Sequence, residues 1–233
     1  MPRRGRVIVG DVPYHVLNRA VGRSTLFRKP PDYAAFEDVL VQAHARLPLR
    51  LLAYCVMPNH WHFVVWPRED GGREVSEFFR WLTVTHAQRY HAAHGTSGTG
   101  PLYQGRFKCF PIQSDGHLLT VLRYVERNPL RAELVRKAET WRWSSLWQWA
   151  QADSRLESLI APWPVTRPHN WAAVVNEPQT RAEEEALRCC VRRGQPFGNP
   201  DWLAQTVEQL GLEHTMRSRG RPRKSKVDES GRT

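Results

Sequence analysis

His60 and His62 stand two apart in the run Leu51-Leu52-Ala53-Tyr54-Cys55-Val56-Met57-Pro58-Asn59-His60-Trp61-His62-Phe63-Val64-Val65-Trp66. In an extended strand, residues two apart point to the same face, so both imidazoles project together while Trp61 turns the other way. Paired imidazoles on one side suit a divalent metal ion. Further along, Tyr124 and Asn128 lie four apart in Asp115-Gly116-His117-Leu118-Leu119-Thr120-Val121-Leu122-Arg123-Tyr124-Val125-Glu126-Arg127-Asn128, which reads as a helix. Residues at that spacing share a helical face. A phenol, an amide oxygen and two imidazoles are the parts for metal-assisted attack of tyrosine on a phosphodiester. Forming a phenolate from a phenol of pKa near 10 costs roughly 4 kcal/mol at neutral pH. A cation that polarises the phosphate offsets that cost.

Each of these residues also has a plain structural role. A His-x-His doublet occurs on exposed strands without metal, and a tyrosine in an apolar helix serves as a core aromatic. Asn128 precedes Pro129, which fits an N-cap for a helix continuing through Leu130, Ala132 and Leu134. Glu126, between Arg123 and Arg127, reads as a surface carboxylate. Trp143 and Trp147 sit at a spacing that packs a helix on a sheet, with base stacking as the alternative.

The elements that must position these groups follow from the apolar pattern. Residues 12 to 20 read as a first strand, and Pro31 to Leu47 as a helix with Ala35, Phe36, Val39, Leu40 and Ala43 on its apolar side. Met57-Pro58-Asn59 is turn chemistry between two apolar runs, which places the histidines where a hairpin's returning strand begins. A second helix is expected over about Val75 to Ala93, with Phe78, Phe79, Leu82 and Ala87 buried, ending at a Gly-rich loop through Gly100. Gln104 to Gln113 reads as a further strand, with Arg106 and Lys108 available to hold phosphates. The alternation argues for a sheet with helices packed on it.

The 233 residues, 41% of them hydrophobic, suffice for a real core, and the net charge of +11 with a pI near 10.1 implies an acidic partner, of which nucleic acid is the usual one. Arg3 and Arg4 begin the chain on the same note. No apolar run resembles a signal peptide or reaches a membrane-spanning length, so the expectation is no membrane and a cytoplasmic, nucleoid-associated protein. Cys55, Cys109, Cys189 and Cys190 lack metal-site spacing and read as reduced, structural thiols.

Four segments are expected: a core over residues 1–155, a Pro-rich connector over 156–180, a small helical segment over 181–216, and a basic tail over 217–233. In the third, Asn199 as N-cap, Pro200 at the first helical position and Gly211 beyond the end bracket one helix. Residues 217–226 place six cations in ten residues with no acid or apolar side chain, and removing them from +11 leaves +5, so the body is basic too. The Arg219-Gly220-Arg221-Pro222-Arg223-Lys224 stretch has the character of an AT-hook, laying Arg219, Arg221, Arg223 and Lys224 along DNA.

From about Tyr14 to Trp147 the chain resembles the single-tyrosine transposases with a His-hydrophobic-His site, and specifically the REP-associated tyrosine transposases. The stretches that carry the resemblance are Tyr14-His15-Val16-Leu17-Asn18-Arg19, Met57-Pro58-Asn59-His60-Trp61-His62, Gln104-Gly105-Arg106-Phe107 and Arg123-Tyr124-Val125-Glu126-Arg127-Asn128-Pro129. The resemblance implies an α+β, RRM-like palm with a central antiparallel sheet. It implies His60, His62 and Asn128 as metal ligands and Tyr124 as the nucleophile that cuts single-stranded DNA through a 5′-phosphotyrosine. It also implies Mg²⁺ or Mn²⁺ as the ion, where imidazole ligands alone would equally suit Zn²⁺, and a substrate of palindromic hairpin repeats. The alternatives are a DNA-binding regulator that does not cut and a metal-dependent phosphohydrolase acting through water. The sequence leaves monomer and homodimer open.

Overall fold

The computed structural model of the chain describes residues 7–68, 72–151, 156 and 159–217. Its centre is a four-stranded antiparallel sheet built from β1 (Tyr14–Arg19), β2 (Leu51–Met57), β3 (His60–Val65) and β4 (Lys108–Pro111), in the order β2-β3-β1-β4. The fold is α+β, as the sequence implies. β4 is shorter than the expected Gln104–Gln113. Lys108 to Pro111 pair with β1 as a strand; before them Gln104 N–H makes a separate bond to Arg19 O, and beyond them Ile112 N–H donates to Pro13 and Gln113 N–H to Phe197.

Strict period-two alternation gives the sheet two apolar faces. Tyr14, Val16, Tyr54, Val56, Trp61, Phe63 and Val65 look to one side, where α1 (Pro30–Arg46) and α2 (Gly72–His94) cover them with Phe36, Val39, Leu40, Phe78, Phe79 and Leu82. Cys55, Met57, Val64 and Phe110 look to the other, where α3 (Gly116–Arg131) lays down Leu118, Val121, Leu122 and Val125. The result is three layers with the histidine face beneath α3. Trp143 joins the first face, stacked on Tyr33 at 4.8 Å between ring centroids, so it packs the core instead of offering a ring to a base.

Both sheet edges are occupied where they are longest. Val56 N–H donates to Trp143 and Ala161 N–H to Leu51 along β2, while Phe197 N–H donates to Pro111 on β4. Unpaired edges are an aggregation hazard that such strapping removes. Residues 160–176, which read as an extended connector, therefore lie on the core: Trp163 and Trp171 pack against each other at 5.1 Å, and α5 (Trp171–Asn176) rests on α3. α4 (Ser145–Gln151) precedes it, and α6 (Arg181–Arg193), α7 (Pro200–Gln209) and α8 (Glu213–Met216) follow. Asn199 caps α7 by accepting from Trp202 N–H, and Gly211 beyond its end takes a φ of +61°, as the sequence signals indicate.

Glu126 departs from expectation. It is fully buried, not a surface carboxylate, and its two oxygens accept from Ser145 Oγ at 2.6 Å and from Trp171 Nε1 at 2.6 Å. One carboxylate thus ties α3 to α4 and α5, and burial raises its pKa. Arg123 and Arg127 complete the tie by donating to the carbonyls of Glu177 and Pro178 and of Val175 and Asn176, groups that the end of a short helix leaves without partners. Glu126→Ala strands the buried Trp171 Nε1 donor and leaves Ser145 Oγ only its longer bond to Tyr54 O, and should cost about 2 kcal/mol in urea unfolding, with Glu126→Gln costing less. A loss for Glu126→Ala below about 1 kcal/mol would contradict this role.

Candidate active site

β3 runs between β2 and β1, so its side chains sit mid-sheet. In the register His62 lies between Leu17 and Cys55, and His60 between Arg19 and Met57. His60 and His62 share the α3 face, with ring centroids 4.9 Å apart. A third imidazole joins them. His15 pairs with Val64 across β1 and β3, which puts it on the same face, and its Nε2 lies 2.8 Å from His62 Nδ1 with the rings stacked at 5.0 Å. His60 Nδ1 lies 2.6 Å from the side-chain oxygen of Asn59 in the hairpin turn.

Asp115 caps α3 by accepting from His117 N–H, which starts the helix so that Tyr124 comes over the histidines. The phenol ring stands edge-on at 6.0 Å from His62 and 6.2 Å from His15, and the residue is 5% exposed. Asn128 is on the same side, but not as an N-cap. The helix continues through Pro129 to Arg131, with Asn128 and Pro129 both buried. Proline has no N–H for the carbonyl of Val125, and Asn128 Nδ2 takes that place at 3.2 Å while also donating to Tyr124 O at 3.0 Å. Its side-chain oxygen accepts from Arg131 Nη2. The same Nη2 is 3.4 Å from the phenol oxygen, and the guanidinium lies 4.5 Å over the tyrosine ring.

Burial sets the charge state of the imidazoles. It pushes His15 down to about 3 with help from His60, and His60 down to about 3 with help from Arg19 and Arg131. His62, wholly buried, is held well below the ordinary histidine value by burial first and then by His60, His15, Arg131 and Arg19, whose charge would oppose its own. All three are neutral at pH 7, the form in which imidazole nitrogen is a ligand. His62 Nε2 and His15 Nδ1 are buried without a hydrogen-bond partner. Among the described residues no group of three or more His, Cys, Asp or Glu side chains is arranged to hold a metal ion.

Of the other expected contacts, Arg106 and Lys108 are exposed at the β4 edge, and Lys108 pairs with Leu17 so that it shares the face of His62. Arg3, Arg4, Arg219, Arg221, Arg223 and Lys224 lie outside the described residues. Sequence reasoning missed His15, Arg19 and Arg131. Period two within Tyr14–Arg19 puts His15 and Arg19 on one face, but only the pairing with β3 puts that face beside His62. Arg131 stands seven residues beyond Tyr124, two helical turns away, and was masked by the expectation of a helix break at Pro129.

Residues 8–128 match the family model "Transposase IS200 like", which spans more than half the chain, and the chain belongs to the IS200-like transposase family. Its members are DNA-cleaving and joining enzymes. A solved structure of a REP-associated tyrosine transposase bound to a REP hairpin is similar in fold, with a TM-score of 0.51 and 19% identity, over 72% of this chain and 94% of that one. A putative transposase from Deinococcus radiodurans R1 aligns with a TM-score of 0.39 and 20% identity, over 54% of this chain and 96% of that one. No curated protein matches the chain. Among the described residues no helix is long and apolar enough to cross a membrane.

The neutral imidazoles give a pH signature. Between their unfolded value near 6.5 and their depressed folded values, the unfolded chain binds protons that the folded chain refuses, so stability is full above about pH 6.5 and falls on acidification. His15 alone, going from about 6.5 unfolded to about 3 folded, should remove about 2 kcal/mol between pH 7.5 and pH 5. Urea titrations at the two pH values measure it. Equal stability at both would contradict the buried, neutral cluster.

Proposed function

We propose that this transposase nicks and rejoins single-stranded DNA with Tyr124 as its nucleophile. In this reading His60 and His62 hold a divalent ion and the substrate is a palindromic hairpin with adjoining single strand. The observation that carries it is the phenol of Tyr124 standing 6.0 Å, ring to ring, from a buried imidazole whose Nε2 has no partner. The hairpin rests on the fold shared with a transposase solved with one.

The donor set fits an ion in part. His60 Nδ1, beside the Asn59 oxygen, must carry its proton, which leaves Nε2 with a free lone pair. With the proton of the His15–His62 contact on His62 Nδ1, the His62 Nε2 lone pair is free as well, and His15 and Asn59 would then orient the two ligands. Asn128 is engaged by Arg131, and its oxygen would be available as a third ligand only if that guanidinium turned to a phosphate, its natural bidentate partner. Mg²⁺ or Mn²⁺ at this place would polarise the phosphate and neutralise charge on its oxygens.

The residues do the rest. The phenol oxygen of Tyr124 forms a bond to phosphorus as the bond to the bridging 3′-oxygen breaks, giving a 5′-phosphotyrosine and a DNA 3′-hydroxyl. The phenol proton is lost and the leaving oxygen gains one. Attack by a 3′-hydroxyl reverses the step, so strands are joined without ATP because the energy of the phosphodiester is kept in the protein link. Arg131 reaches the phenol oxygen and lies over the ring, which holds the ring in place before DNA arrives. One chain supplies both the tyrosine and the histidines, so the chemistry requires no second copy.

Incubating the protein with end-labelled hairpin or unstructured oligonucleotides and Mn²⁺, followed by denaturing electrophoresis, tests this reading. A labelled protein adduct should form, favour the hairpin, and vanish in Tyr124→Phe while DNA binding persists. His15→Ala should lower cleavage roughly 10–100-fold by releasing His62. Cleavage without an adduct would indicate attack by water, binding without cleavage a regulator, and an adduct retained by Tyr124→Phe a different nucleophile; each would overturn the proposal.

A further inference from the structure

We infer that the last turn of α6, outside the family-matched residues, completes a phosphate-binding cleft for a single DNA strand approaching the histidine edge of the site. The cleft has a volume of about 350 Å³, and the cations on its walls are Arg19, Arg23, Arg106, Lys108 and Arg192, with Asn18 and Gln104 between them. Arg19 and Arg23 come from β1 and the turn after it, Arg106 and Lys108 from the β4 edge, and Arg192 from α6. The inference rests on the DNA-cutting role proposed for Tyr124 only for the strand's destination.

The position of Arg192 is fixed by packing. Thr180 and Glu183 form a reciprocal cap at the start of α6, and Leu187 and Cys190 bury its apolar side in the core that α3 shares. Gly194 ends the helix with a φ of +76°, and a Cβ there would stand 3.6 Å from Cys109 O, so the turn lies against β4. Arg192, exposed on that turn, therefore faces Lys108 and Arg19 across a gap.

No carboxylate lines this gap, and among the described residues Arg19, Arg23, Lys108 and Arg192 make no ion pair. Arg19 Nε is buried with no partner. Like charges gathered in a cleft repel one another unless an anion occupies it. Cations drawn from three stretches suit a chain of phosphates better than a single one. The walls contain no aromatic ring on which a base could stack, which indicates backbone contact without base preference. Arg19 is the strand partner of His60, so one end of the cleft adjoins the proposed metal ligands.

The test measures binding alone. In the Tyr124→Phe protein without metal, fluorescence anisotropy follows a labelled single-stranded oligonucleotide over a series of NaCl concentrations. With about 0.7 in the log–log salt slope per phosphate contact, Arg192→Gln should make the slope shallower by about 0.7, and Arg23→Gln/Lys108→Gln/Arg192→Gln by about 2. Arg192→Lys should keep the slope, which separates lost charge from disturbed packing of α6. Arg181→Gln, on the same helix but paired with Glu185 in solvent, should leave it unchanged. A wild-type slope in Arg192→Gln, or an equal change in Arg181→Gln, would overturn the cleft. If the cleft binds as expected while the wild-type protein forms no tyrosine adduct with hairpin DNA and Mn²⁺, the catalytic reading alone would be overturned.

Discussion

The seating of α3 on the histidine face of the sheet is the constraint on which everything else depends. An amphipathic helix can slide or roll on an apolar surface at small cost, and a shift of one residue would carry Tyr124 about 100° around the helix axis. Buried Glu126 opposes that slide, because its two oxygens meet donors from α4 and α5 that are themselves fixed to the sheet. Ser145 also accepts from Tyr54 N–H in β2. The carboxylate thus links the helix that bears the phenol to the strand beside the imidazoles. A buried carboxylate is costly unless its hydrogen bonds are complete, and here they come from the C-terminal segment as well as from α4.

The second organising effect is electrostatic. Three imidazoles packed together would repel if protonated, and burial together with Arg19 and Arg131 keeps them neutral. On the mechanism proposed above, the basic side chains at the rim would draw in a polyanion, and the neutral nitrogen donors within would accommodate a metal ion without competing protons.

Much of this was legible in the sequence because it is local. The His-x-His spacing on a strand, the turn at Met57-Pro58-Asn59, the Asn199-Pro200 helix start and the four-residue step from Tyr124 to Asn128 all follow from backbone periodicity. What was not legible depends on pairing between distant strands or on burial of charge. His15 joins the site only because β1 lies next to β3, and neither segment carries its partner's name. Glu126 looks solvent-exposed beside two arginines, yet those arginines point to the carbonyls of α5 and leave the carboxylate inside. Asn128-Pro129 resembles a helix start, and only the side-chain amide that replaces the missing N–H lets the helix run on. The connector read over 156–180 looks loose because prolines interrupt it, whereas Trp163 and Trp171 within it reach the core.

On the proposed mechanism the paired imidazoles of β3 hold a metal ion in front of the Tyr124 ring. Anomalous scattering from crystals of the Tyr124→Phe protein grown with Mn²⁺ and a single-stranded oligonucleotide addresses it most directly. The account predicts a manganese peak bonded to Nε2 of both His60 and His62, with a phosphate between the ion and the ring at position 124. Manganese bound away from both histidines, or a ring turned from the phosphate with no ion between the imidazoles, would contradict it.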